Sequence, residues 1–295
     1  MNRIRRVGVV GCGVMGAGLA EVCARAGLDV LVAVSRPGRE VDGRRRLVGS
    51  LDNGLRKGKL TEADRDAALA RVSFTADLTD FADRQFVIEA GPEQESVKLD
   101  VFATLDKVVA DDDAILGSNT SSFPIIQLGR VTDRPGKVVG THFFNPVTVL
   151  PLVELVGSVL TEDDTVATAE TFVTDVLGKQ VVRTKDRSGF VVNALLIPYL
   201  LSAIRVYESG VASMADIDTA MKLGCAHPMG PFALSDLIGL DIVQAISESL
   251  YAEYREPHYS PPPLLARMVS AGLLGKKTGR GFYDYPARKE VQVAA

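Results

Sequence analysis

The chain has 295 residues, 46% of them hydrophobic and 24% charged, enough for a full apolar core and about two domains. Its net charge of −4 is spread over both signs, with no basic face and no tryptophan, which excludes a nucleic-acid binder. Three cysteines (Cys12, Cys23 and Cys225) form no CxxC pair and no even framework, so a disulfide scaffold is excluded and a reduced, cytoplasmic setting is expected; no metal cluster is evident in the sequence.

The first half alternates short β-branched runs with helical patterns. "MNRIRRVGVVG" runs directly into a buried strand, with no long apolar run or small-residue cleavage site of a signal peptide. "MGAGLAEVCARAG" predicts a helix closed by Gly27, and "DVLVAV" a second strand. From Arg44 to about Val72 the chain is charged and helical, broken at "KGKLTEAD". Thr61 caps the second piece, with acids in its first turn. This is a helical hairpin inserted into the unit. "FVIEAG", "AILGSNTSS", "KVVGTHFFNP" and "VVRTKD" read as further strands, with "SVKLDVFATLDKVVA" as a helix. Such alternation predicts a parallel sheet with helices on both faces. After "KDRSG" the periodicity is mainly helical, which places a domain boundary near Asp186, giving 1–186 and 187–295. "GFVVNALLIPYLLSAI" is apolar, but it is shorter than the ~20 residues of a membrane span and carries Asn193 and Pro198. It reads as a buried helix at a subunit interface.

Gly11, Gly13 and Gly16 form G-x-G-x-x-G between a strand and a helix, the context a dinucleotide site requires. Gly11 permits the tight turn, Gly13 admits the pyrophosphate, and Gly16 allows close helix–strand packing. Val14 and Met15 complete the phosphate loop. About twenty residues on, NAD sites commonly carry an acid for the ribose 2′-hydroxyl. Here "VAVSRPGRE" offers Val34, Ser35 and Arg36 instead. A hydroxyl and a guanidinium in place of the acid suit a 2′-phosphate, so NADP is favoured over NAD, with Arg39 as a weaker second contact.

His142, in "GTHFFNP", is the side chain best matched to moving a proton at neutral pH, and the chain has only three histidines. Glu154 follows in "LPLVELV", a carboxylate in apolar company that would orient the imidazole. His227 and His258 sit in proline-rich turns and read as structural.

With "SNTSS" (Ser118–Ser122), "HFFNP", "SGFVVN", "HPMGP" and "GKKTGRGFYDY", the chain resembles the short-chain L-3-hydroxyacyl-CoA dehydrogenases over roughly residues 5–285, nearest the bacterial 3-hydroxybutyryl-CoA group. The resemblance implies an α/β fold: a Rossmann-type domain with the inserted hairpin, followed by an all-helical domain that forms a homodimer. It implies reversible hydride transfer between nicotinamide C4 and C3 of an acyl-CoA thioester, in fatty acid metabolism. It makes His142 and Glu154 the acid–base pair and assigns Ser121 and Asn193 to the substrate. Glu93, Lys98 and Lys277 fall on the cofactor side, and Ser50 and Lys57, about two helical turns apart, on the CoA moiety. Asn119 and Asn145 either border the nicotinamide and substrate or tie loops together. The same chemistry on a carrier-protein-bound acyl group, and a non-catalytic NAD(P)-binding protein, are the competing readings. The 3-hydroxyisobutyrate and 6-phosphogluconate dehydrogenase group shares the glycine loop but lacks "HFFNP".

Overall fold

A computed structural model describes residues 4–285. Two compact units divide between Phe190 and Val191, a few residues beyond the boundary read from the sequence.

The first unit is built on an eight-stranded sheet of order β3-β2-β1-β4-β5-β6-β7-β8. Strand β1 (Arg6–Val10) leads through α1 (Val14–Arg25) to β2 (Asp29–Ala33). The inserted hairpin follows as α2 (Glu40–Arg56) and α3 (Glu62–Ala70), then β3 (Val72–Thr75). Next come β4 (Phe86–Glu89), α4 (Glu95–Val108), β5 (Ile115–Ser118), α5 (Ile125–Gly129) and β6 (Val138–Phe143). The unit ends with β7 (Leu152–Gly157), α6 (Asp163–Thr171) and β8 (Gln180–Lys185). Alternate strand residues feed opposite layers: Phe86 and Ile88 pack with Leu19, Val22 and the hairpin's Leu47 and Leu51, whereas Val87 packs with Phe102 and Leu105 of α4. Helix α3 opens on the expected cap. Thr61 Oγ1 accepts from the Asp64 N–H at 3.1 Å, and Asp64 accepts in return from the Thr61 N–H at 3.1 Å.

The sheet departs from the expected parallel arrangement at one joint. Strands β1 to β6 pair in parallel, but β6 and β7 are antiparallel. The connection 144–151 is too short for the crossover that a parallel pair needs, so the chain turns back on itself. The sequence reading does not name two strands, the four-residue β3 and the six-residue β7, whose run LVELVG is apolar apart from Glu154 and shows no alternation.

The second unit comprises α7 (Val192–Glu208), α8 (Met214–Gly224), α9 (Pro231–Ile238), α10 (Leu240–Tyr254) and α11 (Pro263–Ser270). Ile197, Leu200, Leu201 and Ile204 of α7 join Phe232, Leu240, Val243, Leu250 and Phe282 in its core, while Leu195 on the other side is exposed. Helix α7 is thus one-sided, and no described helix is long and apolar enough to cross a membrane. Two buried aspartates hold the unit. Asp218 accepts from the Phe232 and Ala233 N–H groups at the start of α9, and Asp236 from those of Phe282 and Tyr283. Burial and these carboxylates push the Tyr283 and Tyr285 hydroxyls well above their ordinary range. The residues after "HPMGP" and the "GFY" of "GKKTGRGFYDY" are thereby tied to the core of this unit.

Candidate active site

The glycine loop fits a dinucleotide. Gly11 has φ +100°, and a Cβ there would meet the Ala90 carbonyl oxygen at 2.7 Å. At Gly16 a Cβ would lie 2.0 Å from the Gly11 oxygen, so loop and helix touch directly. A Cβ at Gly13 would meet nothing within 4 Å, which leaves that face open for phosphate. Gly13 supplies no side-chain cap to α1, and the first turn holds no acid. The N–H groups of Val14, Met15 and Gly16 thus point outward at the positive end of the helix.

At the end of β2, Val34 is buried and its N–H is taken by Thr75, whereas Ser35 and Arg36 are exposed. The Arg36 guanidinium has no partner among the described residues. Arg39, the weaker candidate, is already paired with Asp42 at 3.0 Å. A residue the sequence reading passes over is Arg46, whose Nη1 donates to the Cys12 carbonyl inside the glycine loop at 3.2 Å. The signal for it is Gly43 in the first turn of α2: a Cβ there would strike the Cys12 Sγ, so α2 lies against the loop.

Strands β4, β5 and β6 end side by side and carry the polar cluster. His142, 4% exposed, directly opposes Glu154 across β6 and β7, and Nδ1 meets Glu154 Oε2 at 2.7 Å. The other ring nitrogen, Nε2, lies 3.0 Å from Ser121 Oγ. With a carboxylate on Nδ1, the neutral ring keeps its proton there and presents the Nε2 lone pair to the serine. Phe144 and Phe190 flank the imidazole, with ring centroids at 4.5 and 5.6 Å. The result is a Glu–His–Ser chain, buried at Glu154 and His142 and half-buried at Ser121.

Behind it lies a second polar group. Lys98, which the sequence alone leaves open to a surface role, is fully buried. Its ammonium contacts Glu89 at 2.8 Å and Glu93 at 3.0 Å. Burial works against ionisation of Glu93, but the Lys98 charge and the Thr120 hydroxyl outweigh it and hold the carboxyl below its ordinary value.

The remaining candidates are spread over both units. Asn119 Oδ1 accepts from the Phe143 N–H at 2.9 Å, tying the β5 loop to β6. Asn145 is exposed on the loop after β6. Ser50 is half-buried in α2, and the exposed Lys57 caps its C-terminus. In the second unit, Asn193 is buried in the first turn of α7. Lys277 pairs with Asp241 at 2.6 Å, and His227 Nδ1 lies 3.2 Å from the Tyr199 hydroxyl, a structural contact. Among the described residues, no group of three acids, histidines or cysteines could hold a metal.

Residues 6–187 match the 3-hydroxyacyl-CoA dehydrogenase NAD binding domain, and residues 189–285 match the C-terminal domain of the same family. The chain belongs to the 3-hydroxyacyl-CoA dehydrogenase family. A 3-hydroxybutyryl-CoA dehydrogenase of Mycobacterium tuberculosis is 57% identical to this dehydrogenase over 284 residues, covering 96% of this chain and 99% of that protein. The crystal structure of M. tuberculosis FadB2 superposes with a TM-score of 0.95 at 57% identity, over 96% of this chain and 100% of the other. That of (S)-3-hydroxybutyryl-CoA dehydrogenase from Ralstonia eutropha gives 0.91 at 44% identity, over 96% and 99%. The dehydrogenase is an oxidoreductase that works with a nicotinamide cofactor.

Proposed function

We propose that this dehydrogenase interconverts 3-hydroxybutyryl-CoA and acetoacetyl-CoA and prefers NADP(H). The observation that carries the reading is the Glu154–His142–Ser121 chain, in which the imidazole Nε2 is placed to exchange a proton. The nicotinamide supplies hydride in one direction and accepts it in the other. In reduction, His142 gives its Nε2 proton to the C3 oxygen while the Glu154 carboxylate balances the ring's charge. In oxidation, Nε2 accepts that proton. Ser121 bonds the same oxygen, and Asn193 holds the acyl group with an amide that does not titrate. General acid–base assistance of this kind contributes ~10²–10⁴-fold.

Gly11, Gly13, Val14, Met15 and Gly16 hold the pyrophosphate, with Glu93, Lys98, Asn119 and Lys277 on the cofactor side. Ser35 and Arg36 take the 2′-phosphate, supported by the unpartnered Arg36 guanidinium and the missing acid. Ser50 and Lys57 contact the CoA moiety, and Asn145 borders the substrate. Residues 1–186 form the cofactor domain and 187–295 the substrate and dimerisation domain of a cytoplasmic homodimer, a reading supported by the exposed Leu195 and Leu223. Steady-state reduction of acetoacetyl-CoA with NADH and NADPH in parallel tests the proposal. The expected result is turnover with both and a higher kcat/KM for NADPH; no turnover with either would overturn it.

A further inference from the structure

We propose that Thr120 is a positioning residue for the reaction, its hydroxyl fixing the place from which Ser121 reaches His142. The inference rests on the reading that Ser121 meets the reacting oxygen.

Each residue of "SNTSS" has its own hydrogen-bond address. Ser118 donates to Glu89 Oε2 at 2.7 Å, Asn119 accepts from the Phe143 N–H, and Ser121 faces His142. Thr120 and Ser122 both donate to Glu93 Oε1. Thr120, 1% exposed, does more than its neighbours: its Oγ1 also accepts from the N–H groups of Ser122 at 3.2 Å and Phe123 at 2.8 Å. One hydroxyl has one proton and two lone pairs, so all its capacity is in use. Thr120 precedes Ser121 and both N–H partners follow it, so these bonds span the serine and close its turn from within.

The anchor for that turn is stiff. Glu93 gives its other oxygen to Lys98, and Lys98 is fixed by both oxygens of Glu89 at 3.1 and 2.8 Å. Glu89, itself 1% exposed, is completed by the Gly91 N–H at 2.7 Å and by Ser118. A buried lysine between two carboxylates is a poor way to gain stability, because apolar packing serves as well without the desolvation cost. What it supplies is geometry: a line of bonds from the ends of β4 and β5 to the turn that carries Ser121. A displacement of about 1 Å in a reacting group costs up to ~10²-fold in rate, so this line acts on kcat through Ser121.

The test is a double-mutant cycle read in steady-state kinetics. Thr120→Val keeps the volume and removes the hydroxyl. It is expected to lower kcat about tenfold to hundredfold while the KM for the nicotinamide cofactor stays unchanged. Thr120→Ser, which keeps the hydroxyl, is expected to restore the rate. In a Ser121→Ala background, Thr120→Val should cost nothing further. Equal losses in both backgrounds, or a rise in cofactor KM alone, would overturn the inference. If Thr120→Val does not fold, Thr120→Ala takes its place in the same cycle: coupling to Ser121 supports the inference, and additivity overturns it. A Ser121→Ala enzyme with undiminished kcat would instead remove the role of Ser121, and this inference with it.

Discussion

His142 and Glu154 are register partners across the antiparallel joint of the sheet, with Nδ1 and Oε2 2.7 Å apart. Backbone hydrogen bonds on both strands, rather than long flexible side chains, set that separation. A slip of one residue would bring Val153 or Leu155 opposite the histidine and turn the carboxylate to the other face.

Replacing that carboxylate with its amide tests the pair directly. Glu154→Gln keeps the shape but loses the charge, and kcat for acetoacetyl-CoA reduction should fall by about 10²-fold or more. Substrate KM should change little, because the side chain is fully buried behind the imidazole. A kcat close to that of the native enzyme would show that His142 works without its partner.

The glycines of the loop should separate in their effects. At Gly16 an added methyl has no room, and Gly16→Ala is expected to destabilise the fold by about 1–3 kcal/mol, seen as a lower Tm. Gly13 has φ −71° and open space, so Gly13→Ala should keep the native Tm. Its methyl would instead occupy the phosphate face, and titration should show weakened cofactor binding. Equal cofactor affinity in Gly13→Ala would place the pyrophosphate elsewhere.

Cofactor choice turns on Arg36. A charge-assisted contact to a 2′-phosphate is worth about 1.5–3 kcal/mol, or roughly tenfold to a hundredfold in affinity. Arg36→Ala should reduce the NADPH/NADH ratio of kcat/KM by that factor and leave the NADH value alone. An unchanged ratio would remove Arg36 from the cofactor site.

Acid should act through Glu93. Its folded carboxyl titrates below the ordinary value, so its stabilisation is fully present above about pH 4.3 and is lost as pH falls through the lower folded value. The native protein should therefore melt above Glu93→Gln near neutrality, and the two curves should converge in acid. A constant difference in Tm across the pH range would contradict this.

The glycine loop, the hairpin and the Thr61 cap are legible because each depends on neighbours within a few residues. His142 and Glu154 stand out by scarcity, as one of three histidines and an acid in an apolar run. What brings them together, the reversal at 144–151, is not visible there, because four to six residues of strand carry no direction. Lys98 is hidden for a similar reason. In "EQESVKLD" it is one charge among several, and only the fold sets it against Glu89 at the end of β4 and Glu93 in the loop beyond. Arg46 looks like one of three consecutive arginines until α2 is laid on Cys12.

That contact bears on how far the nucleotide-binding fold can be cut down. Leu47, Leu51 and Ala68 of the hairpin belong to the same apolar layer as Val7, Val9 and Leu19, and Gly43 and Arg46 close over Cys12. The insertion is thus not a removable appendage. Excising residues 40–70 to leave a minimal Rossmann module would strip one face of the sheet and unroof the phosphate loop, so grafts or chimaeras of this scaffold need to carry the hairpin with them.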